Sequence, residues 1–215
     1  MNRELRFEDR RDGGRFLAGQ LGRYAHRPDV VVLGLPRGGV PVAAEVASAL
    51  EVPLDVFVVR KLGVPGHEEL AMGAIASGGI RVLNDDVVSA VGISEQEIES
   101  VAARELVTLE ARERAYRGDR EPLQLRGRTA ILVDDGLATG ATMRAAIRAL
   151  RGLGAAAIVV AVPTAPRETC QALGREVEDV VCATTPDPFT AVGIWYRDFR
   201  PVSDEEVRGL LEAER

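Results

Sequence analysis

Aromatic side chains are scarce in this chain: five Phe, three Tyr and one Trp make up 4% of 215 residues. The cluster Phe189, Trp195 and Tyr196 in the C-terminal part is therefore conspicuous. Histidine occurs twice, at His26 and His67. A zinc site of the His-Glu-x-x-His kind needs a second His one helical turn on, and after His67 that place is held by Ala71. His67 therefore reads as a surface-loop residue and His26 as a linker residue. Cysteine also occurs twice, at Cys170 and Cys182, with no CxxC or Cys/His spacing. The expectation is two reduced thiols in apolar surroundings, as in a reducing compartment. No apolar run approaches the ~20 residues that span a bilayer. The first residues, MNRELRFEDRRDGGRFLAGQL, lack the apolar core of a signal peptide, so the expected location is cytoplasmic. An excess of positive charge is missing as well. With 27 basic and 33 acidic residues the net charge is −6, and neither a helix-turn-helix nor a basic arm is visible. Nothing here suggests a DNA or membrane surface.

What is present is an ordinary globular composition, 46% hydrophobic and 28% charged, in a chain long enough for one sizeable core. Apolar runs at Val30–Leu33, Val56–Val59, Ala130–Val133, Ala156–Val162 and Val177–Cys182 do not alternate with polar residues, which fits strands covered on both faces. Helical spacing of apolar residues separates several of them, over Gly39–Glu51, Thr142–Leu153 and Pro166–Leu173. The predicted fold class is α/β with a mainly parallel sheet flanked by helices, as one domain over residues 1–215. Capping boxes Ser94-Glu-Gln-Glu97 and Ser203-Asp-Glu-Glu206 open two further helices; the first carries Ile98, Val101, Ala102, Leu106 and Leu109 as its buried stripe.

The segment Ile131-Leu-Val-Asp-Asp-Gly-Leu-Ala-Thr-Gly-Ala-Thr-Met143 concentrates the chemistry. A buried strand ends at Val133, two carboxylates follow, then a small-residue loop, then a helix. Ligands of open parallel sheets bind at the carboxyl ends of strands. The loop Leu137, Ala138, Thr139, Gly140, Ala141 and Thr142 offers backbone N–H groups, two hydroxyls and a helix N-terminus, a combination suited to a phosphate. Asp134 and Asp135 repel phosphate but can accept hydrogen bonds from sugar hydroxyls or hold Mg²⁺. The loop is not a Walker loop, because Gly136-Leu-Ala-Thr-Gly-Ala-Thr142 lacks the Gly-Lys pair.

This segment resembles the phosphoribosyl-pyrophosphate-binding motif of type I phosphoribosyltransferases: an apolar run, two acidic residues, then Thr-Gly-x-Thr. Gly34-Leu-Pro-Arg-Gly-Gly39, about a hundred residues upstream, resembles that family's pyrophosphate loop, with Arg37 to meet the diphosphate and Gly38 and Gly39 to let the backbone approach it. The resemblance implies a small hood, contributed by residues 1–20 and 184–215, and a flexible lid over 62–79, a stretch containing six Gly or Pro residues. It implies a cis peptide in the pyrophosphate loop, expected at Pro36–Arg37. It also implies transfer of the 5-phosphoribosyl group from PRPP to a small nitrogenous acceptor with Mg²⁺ as cofactor.

In that reading Asp134 and Asp135 hold the ribose and metal. Arg37, with Arg60 or Lys61, faces the departing pyrophosphate, and Trp195 stacks on the acceptor. Some relatives acting on 6-oxopurines place an Asp where this chain has Ala138, so the purine-specific reading loses its clearest support. A non-catalytic nucleotide sensor of the same fold, and an enzyme that makes or hydrolyses the same sugar phosphate, are the alternatives. The resemblance is compatible with a homodimer.

Overall fold

The structure, a computed structural model, describes residues 6–122 and 124–213. The parts of the expected hood at residues 1–5 and 214–215 lie outside the described residues.

Five strands form a parallel sheet in the order β2-β1-β6-β7-β8: β1 Val30–Gly34, β2 Leu54–Val56, β6 Thr129–Val133, β7 Ala157–Thr164 and β8 Asp179–Thr184. Helix α2 (Gly39–Leu50) follows β1, α5 (Ala141–Gly152) follows β6 and α6 (Arg167–Leu173) follows β7. Every residue of β1 and β6 is buried, as their unbroken apolar runs require. Alternate residues serve two cores. Val30, Val32, Ile131 and Val133 pack with α2, while Val31, Leu33, Ala130 and Leu132 pack with α5. The chain leaves β1 toward one edge of the sheet and β6 toward the other. The boundary between them, where Gly34 pairs with Val133, is thus the switch point at which open α/β sheets bind ligands.

The apolar run Val56–Val59 does not form one strand. Val56 ends β2, and Val59 begins a second, antiparallel sheet of β3 Val59–Val64, β4 His67–Ala76 and β5 Ile80–Leu83. Phe57 N–H still donates to Gly34 O, whereas Val58 exchanges bonds with Ser77, so the chain changes sheets between these two residues. The lid segment is accordingly a hairpin rather than an irregular loop. Its glycines suit a tight ladder: a Cβ at Gly63 would lie 2.7 Å from Glu68 O, and one at Gly73 would lie 2.4 Å from Val82 O. Pro65-Gly66 makes the turn, with Gly66 at φ 78°.

Helix α3 (Asp85–Val91) leads to the long helix α4 (Glu95–Arg117), which starts at the expected capping box on Ser94 and buries Ile98, Val101, Ala102 and Leu109. Helix α7 (Asp204–Ala213) has Glu206 N–H donating to Ser203 Oγ. Helix α1 (Arg10–Ala18) packs on α2, and Phe7 bridges to Tyr196, so the described N- and C-terminal segments meet. The two cysteines are a correction to the sequence reading. Cys170 on α6 and Cys182 on β8 are joined as a disulfide, with Cα atoms 6.6 Å apart. The crossover from α6 to β8 brings residues 12 apart in sequence side by side, which spacing alone does not reveal. No helix among the described residues is long and apolar enough to cross a membrane.

Candidate functional site

Two loops meet at the switch point. The first, Leu35–Gly38, leaves β1 with Leu35 N–H donating to Val133 O, which binds it to the end of β6. The Pro36–Arg37 peptide is cis, as the resemblance led us to expect. Gly38 and Gly39 are required by proximity, because the second loop leaves no room for a side chain. A Cβ on Gly38 would stand 2.0 Å from Asp135 Oδ2, and one on Gly39 would stand 2.6 Å from Val133 O and 3.1 Å from Asp134 Oδ1.

The second loop carries Asp134 and Asp135 and then turns into α5 through Gly140, whose φ of 73° is left-handed. Its carbonyls are braced from behind. Thr169 Oγ1 donates to Ala138 O at 2.9 Å, and Arg144 Nη1 donates to Thr139 O at 2.8 Å while its Nε meets Glu176 at 2.9 Å. Leu137 is buried in the core and reaches the loop only through its backbone. Ala138, Thr139, Ala141 and Thr142 are exposed, at the end of a helix whose first N–H groups lack intrahelical partners.

Burial and mutual repulsion push the Asp134 carboxyl well above the ordinary value of 3.8. Burial also raises Asp135, against the pull of Arg10. Arg10 was not singled out from the sequence, where it stands unmarked in a charged run. Its Nε donates to Asp135 Oδ2 at 2.8 Å. Tyr196, noted only as one of the aromatic cluster, donates its hydroxyl to Asp135 O, and burial pushes its own pKa strongly up.

The cations expected near pyrophosphate separate. Arg37 is exposed and forms no ion pair among the described residues. On β3, successive side chains point to opposite faces. Arg60 turns to α4 and is engaged by Glu105 at 2.7 and 2.9 Å, so the structure takes it away from the loops. Lys61 turns the other way. It lines a cleft of about 360 Å³ with Thr142, Arg144 and Arg148, and Glu69 Oε2 lies 3.6 Å from its ammonium group. Trp195 is buried, stacked on Phe189 with ring centroids 6.3 Å apart, and its Nε1 has no hydrogen-bond partner among the described residues. In this conformation it packs within the C-terminal segment.

The sequence pattern of the phosphoribosyl transferase domain matches residues 6–182, which take in both loops. The chain belongs to that family. It is similar, at 48% identity over 96% of its length, to a Mycobacterium tuberculosis protein that carries a provisional phosphoribosyl transferase name, in two strains. The chain spans about half the length of these curated relatives, 46%. It is also similar to the crystal structure of TT1426 from Thermus thermophilus, at 43% identity with a TM-score of 0.84, covering 96% of this chain and 98% of that one.

For a phosphoribosyl transferase domain the Asp134/Asp135 edge offers hard oxygen donors of the kind Mg²⁺ takes. Burial raises both carboxyls, and for Asp134 the neighbouring charge of Asp135 adds to it, so a cation there would favour their ionised forms. Among the described residues no group of three or more His, Cys, Asp or Glu could hold a metal by itself. The residues thus fit a Mg²⁺ that shares its coordination with substrate oxygens and water, the usual manner of that ion with phosphorylated substrates.

Proposed function

We propose that the chain is a phosphoribosyltransferase that takes 5-phosphoribosyl-1-pyrophosphate as donor and passes the ribosyl group to a small nitrogenous acceptor. The observation that supports this most is the contact of the Gly38–Gly39 backbone with the Asp134/Asp135 edge, beside a braced loop that ends in a helix N-terminus. Pyrophosphate, ribose diol and 5-phosphate of one molecule have complementary groups there in the same order. Ala138–Thr142 cradle the 5-phosphate, the carboxylates accept hydrogen bonds from the ribose hydroxyls, and the loop with Arg37 receives pyrophosphate. Asp134 and Asp135 would hold a Mg²⁺, which would supply positive charge to stabilise the leaving pyrophosphate. The C1–O bond to pyrophosphate breaks as a C1–N bond to the acceptor forms, and Arg37 and Lys61 meet the charge that develops on the departing oxygen.

The second reading is a sensor that binds the donor without turnover. It is favoured by Ala138, which places no base on the loop, and by the engagement of Arg60 with Glu105. Pyrophosphate release, measured across a panel of nitrogenous bases with a no-base control, separates the readings. Release that depends on one base establishes the transferase, and release without base points to hydrolysis. Calorimetric binding without release establishes the sensor, while no binding removes both.

A further inference from the structure

We propose that the cleft between the three-stranded sheet and α5 is a second binding site, for a nucleoside monophosphate, whose occupant competes with the donor for Lys61. The site stands on its own residues, and the competition rests on the donor reading above. The cleft holds about 360 Å³, within the range of small-ligand sites, about 300–1,000 Å³. Its sheet wall is set by register. Lys61 pairs with Ala74 and Ala74 with Val82, so the three share one face, and Val59, two residues before Lys61, points the same way. The opposite face carries Arg60 and Arg81, which turn to Glu105 and Glu99 of α4. The helix wall is formed by Ala141, Arg144, Ala145 and Arg148, which share one face of α5 by their spacing and are distinct from the buried face of Met143, Ile147 and Leu150.

Charge selects the ligand. Lys61, Arg144 and Arg148 line the cleft and no described Asp or Glu does, in a chain whose net charge is −6. Arg144 is committed to Glu176 at 2.9 Å and to Thr139 O at 2.8 Å. The other two are free to meet an anion. Arg148 is exposed, and its guanidinium forms no hydrogen bond or ion pair among the described residues. Lys61 meets Glu69, at 3.4 Å through the carbonyl and 3.6 Å through a fully exposed carboxylate, long contacts that a phosphate can displace. Asn84 and Thr142 add a carboxamide and a hydroxyl to the lining. Between these polar groups, Val59, Ala74, Val82 and Ala145 make an apolar seat for a flat ring. A dianion for two cations, on a molecule with a planar body, is the chemistry of a nucleoside monophosphate.

The cleft is separate from the carboxylate edge. Asp134, Asp135, Gly38 and Gly39 do not line it. Arg148 stands six residues beyond Thr142, about 9 Å further along α5. Lys61 and Thr142 stand where the two sites meet, and an occupant paired with Lys61 withholds it from the departing pyrophosphate.

Calorimetry of the whole chain with AMP, GMP, CMP and UMP, each without donor, tests the site. At least one should bind the wild type. Arg148→Glu should weaken that binding about tenfold, the scale of reversing one charge a few ångströms from a dianion in water. Ala145→Leu keeps a strong helix former and fills the seat, and it should weaken binding as well. Asp134→Asn/Asp135→Asn should bind the nucleotide as wild type does. Unchanged affinity in the two cleft variants, or loss in the aspartate variant, would place the nucleotide outside the cleft and overturn the proposal. Absence of binding by all four nucleotides would overturn it too. Melting temperatures establish that the variants are folded, and Arg148→Ala carries the comparison if Arg148→Glu is not. A nucleotide concentration that saturates the wild type should also weaken its binding of phosphoribosyl pyrophosphate, and should not do so in Arg148→Glu. Undiminished donor affinity would overturn the competition for Lys61. If the wild type binds no donor, the donor reading fails, while the nucleotide titrations still decide the cleft.

Discussion

The five-stranded and three-stranded sheets treat the same kinds of residue in opposite ways. In the parallel sheet, β1 and β6 are buried throughout, and the loops that leave them are fastened to neighbouring elements by Leu35, Arg144 and Thr169. In the antiparallel sheet, residues 67–70 at the start of β4 are exposed and β5 is only half-buried. A parallel sheet covered on both faces has no choice but to be apolar, so its polar chemistry gathers where the strands end. An antiparallel sheet with a wet face can carry chemistry along its length, and β3 does so by sending Arg60 to one side and Lys61 to the other. The first arrangement suits groups that must be fixed before a ligand arrives. The second suits a cover that brings a cation to a ligand already bound.

The sharpest test of the fixed side is Asp134→Asn. It should reduce donor affinity by roughly a hundredfold or about 3 kcal/mol, the scale of one strong or two ordinary hydrogen bonds to a charged group. The same change should raise the melting temperature of the ligand-free protein. The sign follows from the raised carboxyl. An acid held above its ordinary 3.8 in the folded state destabilises the fold whenever it is ionised. That penalty is absent below 3.8, grows as pH rises toward the folded value and is constant above it. Asn carries no such penalty. For the same reason donor binding with Mg²⁺ should weaken on acidification while pH is still above the ordinary carboxylate range. A melting temperature lower than wild type at pH 7, together with undiminished donor binding, would contradict the placement of charge at this edge.

Next in size is a pair of glycine substitutions, one in each region. Gly39→Ala must push a Cβ against Val133 O at 2.6 Å, and an overpacked site of this kind costs about 1–3 kcal/mol. Gly66→Ala, in the hairpin turn, meets open space, and its left-handed φ of 78° costs about 1 kcal/mol. Gly39→Ala should also lose donor affinity, whereas Gly66→Ala should change stability alone. Chemical denaturation beside donor calorimetry reads both, and equal donor affinities in the two variants would erase the distinction between the regions.

How far the sequence could be read follows the same division. The strands that became β1, β6 and β7 were legible because burial on both faces leaves unbroken apolar runs, whereas the edge strand β8, only partly buried, showed itself through the shorter run Val180–Cys182. The carboxylate edge was legible because Asp134 and Asp135 follow such a run and precede a small-residue loop. The hairpin was not. Gly63, Gly73 and the Pro65-Gly66 turn carry the composition of a loop, and only the approach of Glu68 and Val82 shows that those glycines serve a ladder. Val56–Val59 looked like one strand because nothing apolar marks the point where Val58 turns to Ser77. Arg10, Tyr196 and the Cys170–Cys182 bond depend on partners 125, 61 and 12 residues away, and no local pattern encodes such distances.

Amide hydrogen exchange compares the regions directly. Amides of β1, β6 and β7 should exchange near the global limit and those of β3, β4 and β5 faster, because solvent-exposed strands open locally at lower cost. Adding phosphoribosyl pyrophosphate and Mg²⁺ should slow residues 62–79 more than the parallel strands. Equal slowing in both sheets, or none in the hairpin, would make the antiparallel sheet a fixed wall instead of a cover.

The smallest effect belongs to the braces of the loop between β6 and α5. Thr169 is buried on α6, and its hydroxyl donates to the Ala138 carbonyl at 2.9 Å, while Thr139 is exposed. Thr169→Val keeps the shape and removes the donor, leaving a carbonyl unpartnered at a cost of about 1 kcal/mol. Thr139→Ala removes a group that would touch phosphate, worth about 1–2 kcal/mol when the partner is charged. The two should differ in kind. Thr169→Val should lower the melting temperature and weaken donor binding by no more than about fivefold, because the loop loses a support but no contact. Thr139→Ala should leave the melting temperature at wild type and weaken the donor alone. A Thr169→Val protein that melts and binds as wild type would show the loop to be held by Arg144 without help from α6. A Thr139→Ala protein with intact donor affinity would put the 5-phosphate on backbone N–H groups alone.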